Sequence, residues 1–137
     1  MERTGQCMCG AVKFTAKTTG SFAICYCKMC QRWASGVFMG AQTEGFTLNE
    51  GAEHFTIVES SDWAERAFCA KCGSNIYYDA DDQDHPNVSL GTFDNIDDLS
   101  PGVQWFIDQK PKDIPQLHDV KAYTEAEVMK MFGGDNG

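Results

Sequence analysis

Cys25-Tyr26-Cys27-Lys28-Met29-Cys30 puts three sulfurs within six residues of chain. Zinc takes thiolates at about 2.3 Å in tetrahedral geometry, so its sulfur ligands must crowd together, and this triplet can wrap one ion locally. The other four of the seven cysteines form two pairs, Cys7-Met8-Cys9 and Cys69-Ala70-Lys71-Cys72. A Cys-x-x-Cys turn curls the backbone around a metal. A Cys-x-Cys pair on an extended strand instead points both side chains to one face, and Cys7 and Cys9 are expected to do this. Seven ligands divide naturally as four plus three. Joining the two outer pairs closes a structural site that ties the N-terminal strand to the middle of the chain, and a metal clip contributes most where it closes a long loop. Three thiolates leave an open position, as a catalytic zinc does. The rival arrangement borrows a fourth ligand for the triplet from His54, His85 or His118, none of which adjoins a cysteine motif.

Two plainer readings compete. A disulfide framework would leave one thiol over, and the spacings are too short for easy bridging. Buried inert thiols are common, but chance burial does not generate Cys-x-Cys-x-x-Cys. The N-terminal Met1-Glu2-Arg3-Thr4-Gly5-Gln6 has no apolar core of a signal peptide, so a cytoplasmic location is expected.

A chain of 137 residues with 42% hydrophobic residues is expected to form one domain, residues 1–137, with two zinc sites adding to a modest core. No apolar run is long enough to span a membrane. The formal charge is −9. Thiolate ligation of two zinc ions makes it about −12, a field that disfavours nucleic-acid backbones and anionic membranes as partners.

Short alternating runs separated by glycines make the chain β-rich. Val12, Phe14 and Ala16 alternate with Lys13 and Thr15, and Phe22, Ile24 and Tyr26 alternate with Cys25 and Cys27. Further strands are predicted at 36–41, 46–48, 54–58, 66–68, 74–79, 87–93 and 103–108. The helix signal is C-terminal, where Thr124-Glu125-Ala126-Glu127 forms a capping box ahead of Val128, Met129, Met131 and Phe132. The last residues, Gly133 to Gly137, are expected to fray. The acidic run Asp79-Ala80-Asp81-Asp82-Gln83-Asp84 reads as a solvated hairpin loop, since it lacks the spacing of a calcium loop.

The motifs together carry a resemblance. Gly5-Gln6-Cys7-Met8-Cys9-Gly10-Ala11-Val12, Cys25-x-Cys27-x-x-Cys30-x-Arg32, Ser60-Ser61, Arg66-Ala67-Phe68-Cys69-x-x-Cys72-Gly73-Ser74 and Gly91-Thr92-Phe93-Asp94 resemble the glutathione-dependent formaldehyde-activating enzyme family, which includes centromere protein V. The resemblance runs from about residue 5 to about residue 115. It implies a mainly β chain, a β-tent of antiparallel sheets stabilised by zinc, with a short C-terminal helix. It implies a structural zinc on Cys7, Cys9, Cys69 and Cys72, and a catalytic zinc on Cys25, Cys27 and Cys30. The family commonly carries two arginines after the third triplet cysteine; this chain has Gln31-Arg32.

The family's namesake reaction joins a thiol, glutathione, to formaldehyde as an S-hydroxymethyl adduct, which is carbon–sulfur lyase chemistry in reverse. Three functions therefore fit: a zinc-dependent carbon–sulfur lyase or synthase on a small thiol–aldehyde adduct, a family enzyme with another small-molecule reaction at the same zinc, or a zinc-stabilised binding module. Glutathione brings two carboxylates to an acidic protein, so an anion clamp is needed. Arg32 is the first candidate for it, with Arg66 and Lys28 behind. Their plainer roles are a pair with Asp62 or Glu65 for Arg66 and a solvated turn for Lys28. Trp33, Trp63 and Trp105 are expected to be core or rim aromatics.

Overall fold

The structure, a computed structural model, describes residues 1–133. The frayed end expected at 134–137 lies outside the described residues. Packing divides the chain into two units, each built from separate stretches: Met1–Ser21 with Gly40–Leu99, and Phe22–Met39 with Ser100–Gly137.

The first unit is sheet. Strands β1 (Glu2–Gln6), β2 (Lys13–Cys25), β3 (Phe38–Glu50), β4 (Phe55–Ser61), β5 (Ala64–Cys69), β6 (Asn75–Ala80) and β7 (Asn87–Ser89) supply it, β2 and β3 only in part. Its order is β4-β5-β6-β7-β3-β2, with β1 antiparallel on β2. Phe14 and Ala16 face inward as their alternation predicts, and their phase fixes the register of β1. Gly5 lies opposite Phe14, and a Cβ there would sit 2.4 Å from Phe14 Cζ and 2.7 Å from the Thr92 carbonyl. Phe14, Phe46, Phe55 and Tyr77 stack or meet edge to face at 5.0–6.1 Å between centroids, and Phe93 closes on Phe14. Each such ring removes 150–250 Å² from water.

An arginine belongs to this core. Arg3 is 9% exposed. Its guanidinium meets both oxygens of Asp98 at 2.9 Å, the Asn95 carbonyl at 2.9 Å and Thr18 Oγ1 at 2.9 Å. The pairing satisfies the buried charge and holds the Asp98 carboxyl below the usual carboxylate range, Arg3 being its hydrogen-bond donor. Of the acidic run 79–84, expected to be a solvated loop, Asp79 and Ala80 instead end β6 with Ala80 buried, and only residues 81–84 are exposed loop before β7.

The second unit contains what the sequence pattern did not predict. A seven-residue helix, α1 (Lys28–Ala34), begins inside the cysteine triplet. The end of β2 runs to Tyr26, whose N–H donates to the Trp105 carbonyl of β8 (Ser100–Trp105) at 3.0 Å. After a 3-10 turn at Ile107–Gln109, strand β9 (Ala122–Tyr123) pairs with β8 in parallel. The expected all-antiparallel arrangement is therefore corrected to a mixed one. A two-residue strand reached through the long connection 110–121 can return in the same direction, which a tight hairpin cannot. Gln104, 0% exposed, organises that connection. Its Nε2 donates to the Leu117 and Val120 carbonyls, and its Oε1 accepts from Leu117 N–H and Tyr26 Oη. A buried amide so fully bonded costs little, while its loss would strand several groups. The chain closes with α2 (Glu125–Phe132), whose capping box is formed as predicted.

Candidate metal centres

Each unit brings together one of the two cysteine sets. In the first unit the sulfurs of Cys7, Cys9, Cys69 and Cys72 all lie within 4.8 Å of one another. Cys7 and Cys9 are 3.6 Å apart, and Cys9 and Cys69 are 4.0 Å apart. A tetrahedron with zinc–sulfur bonds of about 2.3 Å has edges of about 3.8 Å, so these separations bracket the required value. They are nearly twice a disulfide's S–S length, and none of the seven cysteines is in a disulfide. The disulfide reading is set aside.

Cys7 and Cys9 are not on a strand, contrary to expectation. β1 stops at Gln6, and Cys7–Gly10 form a turn closed by Gly10 N–H to the Cys7 carbonyl at 3.1 Å. The matching turn Cys69–Gly73 closes with Gly73 N–H on the Cys69 carbonyl at 2.7 Å. Both glycines are left-handed, φ 81° and 83°, where a side chain is disfavoured. The turns exist to aim backbone N–H groups at sulfur. Val12 N–H donates to Cys7 Sγ at 3.3 Å. Ser74 bridges the two turns, accepting from Met8 N–H at 2.9 Å and placing its hydroxyl 3.2 Å from Cys72 Sγ.

These donors divide the charge among the sulfurs. The Ser74 hydroxyl, helped by N–H groups of Ser74 and Cys9, draws the Cys72 thiol down to about 5 despite its partial desolvation. Burial pushes Cys7 up, but the Val12 N–H and neighbouring thiols outweigh it, and its net shift is downward. Cys9 receives the Ala11 N–H, yet desolvation and the other three sulfurs carry it to about 11. Four thiolates in one place repel, and a dication at their centre removes that conflict. The donor set therefore fits a metal ion.

In the second unit Cys25, Cys27 and Cys30 have their sulfurs within 4.8 Å of one another. Among the described residues neither set includes a histidine or a carboxylate, so His54, His85 and His118 complete neither. Cys25 ends β2, Cys27 is the N-cap of α1, and Cys30 lies on its first turn. Cys27 Sγ accepts from Cys30 N–H at 3.4 Å, the task a serine or aspartate performs at other helix starts. Cys25 is pushed well up, first by Cys27, then by Cys30 and burial, the same crowding of like charge. This donor set fits a metal too, supplying three of the four ligands that a tetrahedral site takes.

Two amides flank the triplet. Gln31 Nε2 donates to the carbonyls of Tyr26, at 2.6 Å, and Gln109, at 2.9 Å. Gln109 Oε1 accepts from Lys28 N–H at 3.1 Å, and its Nε2 donates to Glu125 Oε2 at the start of α2. Nothing in the sequence pattern singled out either glutamine. Arg32 is exposed, two residues beyond Cys30, which on a helix is the opposite side. Lys28 is exposed at the first turn. Arg66 is 4% exposed in β5 and covers the Tyr78 ring at 4.7 Å. Trp33 packs on Phe38, and Trp105 stacks on Tyr123.

A cavity of about 670 Å³ lies apart from both sets, lined by Arg3, Thr4, Asp94, Asp97 and Asp98 among others. Arg3 and Asp98 pair there, Asp94 accepts from the Thr4 hydroxyl, and the lining offers no thiol or histidine for chemistry.

Residues 2–109 match the family described as glutathione-dependent formaldehyde-activating enzyme. The chain belongs to this family. An uncharacterized lyase of Schizosaccharomyces pombe is 29% identical over 134 residues, covering 94% of this chain and 96% of that protein. A Halomonas elongata protein provisionally named a glutathione-dependent formaldehyde-activating enzyme is 30% identical over 83 residues, 53% of each chain. The crystal structure of a Rhodobacter sphaeroides protein superposes with a TM-score of 0.57 at 19% identity, covering 72% of this chain and 98% of that one, which shows a shared fold. No helix among the described residues is long and apolar enough to cross a membrane.

Proposed function

We propose that the protein is a zinc-dependent carbon–sulfur lyase or synthase acting on a small thiol–aldehyde adduct, of the S-hydroxymethylglutathione kind. The observation that carries this reading is the three-sulfur set at the β2–α1 junction, which among the described residues has no histidine or carboxylate to close it. Cys7, Cys9, Cys69 and Cys72 would hold a structural ion. Cys25, Cys27 and Cys30 would hold a catalytic one. Zinc bound there supplies Lewis acidity and stabilises a thiolate near neutral pH.

The reaction is redox-neutral. In the synthetic direction the substrate sulfur bonds to the aldehyde carbon, and the thiol proton passes to what was the carbonyl oxygen. In the lyase direction that carbon–sulfur bond breaks and the proton returns. Cys25, Cys27 and Cys30 would hold the ion with three anionic sulfurs. Arg32, exposed near the end of α1 and on the side away from Cys30, would hold a carboxylate at the far end of an extended substrate such as glutathione. If so, Arg32→Ala should raise KM with little change in kcat, since such a contact is alike in ground and transition states.

The relatives' names support the lyase class, and the residues that carry the family likeness support glutathione and formaldehyde as the first pair to try. A panel of thiols and aldehydes, incubated with zinc-loaded protein and followed by product mass, tests the proposal. Enzyme-dependent adduct formation or cleavage that disappears in Cys27→Ser supports it. A panel without turnover, on protein that carries two zinc ions, would favour a non-catalytic binding module.

A further inference from the structure

The family match ends at residue 109, yet the chain continues through an ordered connection into β9 and α2. Gln109, the last matched residue, bonds to the backbone beside the cysteine triplet and is itself bonded to Glu125 of that later segment. Gln109 Oε1 takes the N–H of Lys28, directly after Cys27. The first N–H groups of a helix have no partner within the helix. In α1 the Cys27 sulfur takes one, from Cys30, and Gln109 takes another. The Gln109 carbonyl also receives Gln31 Nε2, which at the same time holds the Tyr26 carbonyl between Cys25 and Cys27. The orientation of Gln109 is set from α2, because its Nε2 donates to Glu125, and Glu125 N–H is itself bonded to Asp108 at 2.8 Å.

We propose that Gln109, oriented by Glu125, is a positioning residue for the Cys25–Cys27–Cys30 set, and that the segment after residue 109 therefore braces the metal site of this chain. The proposal rests on the reading that the triplet binds a metal. Cys27 and Cys30 share a local turn, in which Cys27 Sγ accepts from Cys30 N–H and the Cys27 carbonyl accepts from Gln31 N–H, but the link from Cys25 into that turn is bonded from outside it. The amides on either side of Cys27 supply that constraint. Groups that orient metal ligands typically alter metal affinity 10–100-fold when removed.

The test uses full-length protein and cobalt(II) as the probe, read by thiolate-to-cobalt charge-transfer and d–d absorption and by competition with a chromophoric chelator. Wild type should take two equivalents, and Cys27→Ser one. Gln109→Ala should keep the four-cysteine equivalent and bind the second about 10–100-fold more weakly, with an altered d–d envelope. Gln109→Glu should be weakened as well, because two carboxylates then meet. The double variant Gln109→Glu with Glu125→Gln reverses donor and acceptor and should restore affinity and spectrum to near wild type. General loss of stability would not produce that recovery.

Second-site affinity in Gln109→Ala within threefold of wild type would overturn the positioning role. So would a double variant no better than Gln109→Glu alone. If wild type itself takes one equivalent and Cys27→Ser does not lower it, the metal reading of the triplet has failed, and this proposal with it.

Discussion

The two cysteine sets are built in opposite ways. In the first unit each pair sits in its own turn, closed by a backbone hydrogen bond and a left-handed glycine, so the geometry is local to the turn. In the second unit the triplet spans a strand end and a helix start, and the side chains of Gln31 and Gln109 hold it. The backbone shows the same contrast. The first unit's left-handed positions are glycines 10, 20, 51 and 73, while the second unit also uses Ser35 (φ 73°) and Phe106 (φ 60°). A non-glycine residue held left-handed costs on the order of 1–2 kcal/mol. The first set closes itself without such strain, while the chain next to the second set carries it, and strained backbone of this kind persists only where the surroundings over-determine it.

The largest effect should come from breaking the long-range set. Cys72→Ser removes a ligand that joins the N-terminal turn to the β5–β6 turn, and it should abolish cooperative unfolding seen by circular dichroism and release both metals. A folded Cys72→Ser protein with an unchanged melting temperature would show that the first unit does not depend on its metal.

Next comes Cys27→Ser. The triplet closes no long loop, so this protein should stay folded, keep about one zinc, and lose turnover by several orders of magnitude. Zinc analysis, circular dichroism and product formation on one preparation decide it. Unfolding would mean that the triplet is structural and that the contrast between the two sets is wrong.

A pair of backbone changes sharpens the comparison at the level of about 1 kcal/mol. Gly73→Ala meets no atom within 4 Å, so it carries only the left-handed penalty and should destabilise by about 1 kcal/mol. Ser35→Gly relieves the same penalty in the second unit and should stabilise by about 0.5–1 kcal/mol after the glycine's entropy is counted. Urea midpoints for both, with opposite signs, are the expected result.

The smallest effect is a pH dependence. The first unit is tied by an ion pair and the second by neutral amides. Arg3 lowers the folded-state pKa of Asp98, so the carboxylate's contribution is fully present above its unfolded pKa, near 4, and is lost as pH falls through the lower folded value. Asp98→Asn should therefore lower the melting temperature at neutral pH, and the gap to wild type should close in the acid range below about 4. An equal gap at both pH values would remove the ion pair as its cause.

The grouping of the sulfurs into four and three was legible because sulfur spacing is a strong constraint: seven cysteines at those intervals leave few divisions. The expected strand at Cys7–Cys9 failed because period-two geometry says nothing about N–H···S bonds, which require a turn; Gly10 was the signal. Helix α1 was missed for a different reason. Its cap is Cys27, a residue not used as a start signal, and seven residues are too few for a helical period. The parallel β9 has only two residues to announce it. Gln31, Gln104 and Gln109 act through tertiary hydrogen bonds, and an uncharged polar side chain leaves no periodic trace in sequence. The capping box at Thr124 was readable because it is a purely local device.

One feature of the closed set bears on how the chain comes to be loaded. Cys9 and Cys69 touch across 60 residues of sequence, whereas the triplet is complete by Cys30. Synthesis proceeds at about 5–20 residues per second, so the triplet emerges some seconds before Cys69 and Cys72 do. On the proposed assignment the three-thiolate site, with one anionic ligand fewer and so the weaker of the two, is offered to the cell's metal pool first, and the four-thiolate site, coupled to folding and tighter, last. Order of capture and order of affinity then run in opposite directions. Under zinc scarcity the nascent chain would depend on passing an early ion on, and labelled zinc supplied in a brief pulse at the start of synthesis should be enriched in the site that a mild chelator empties.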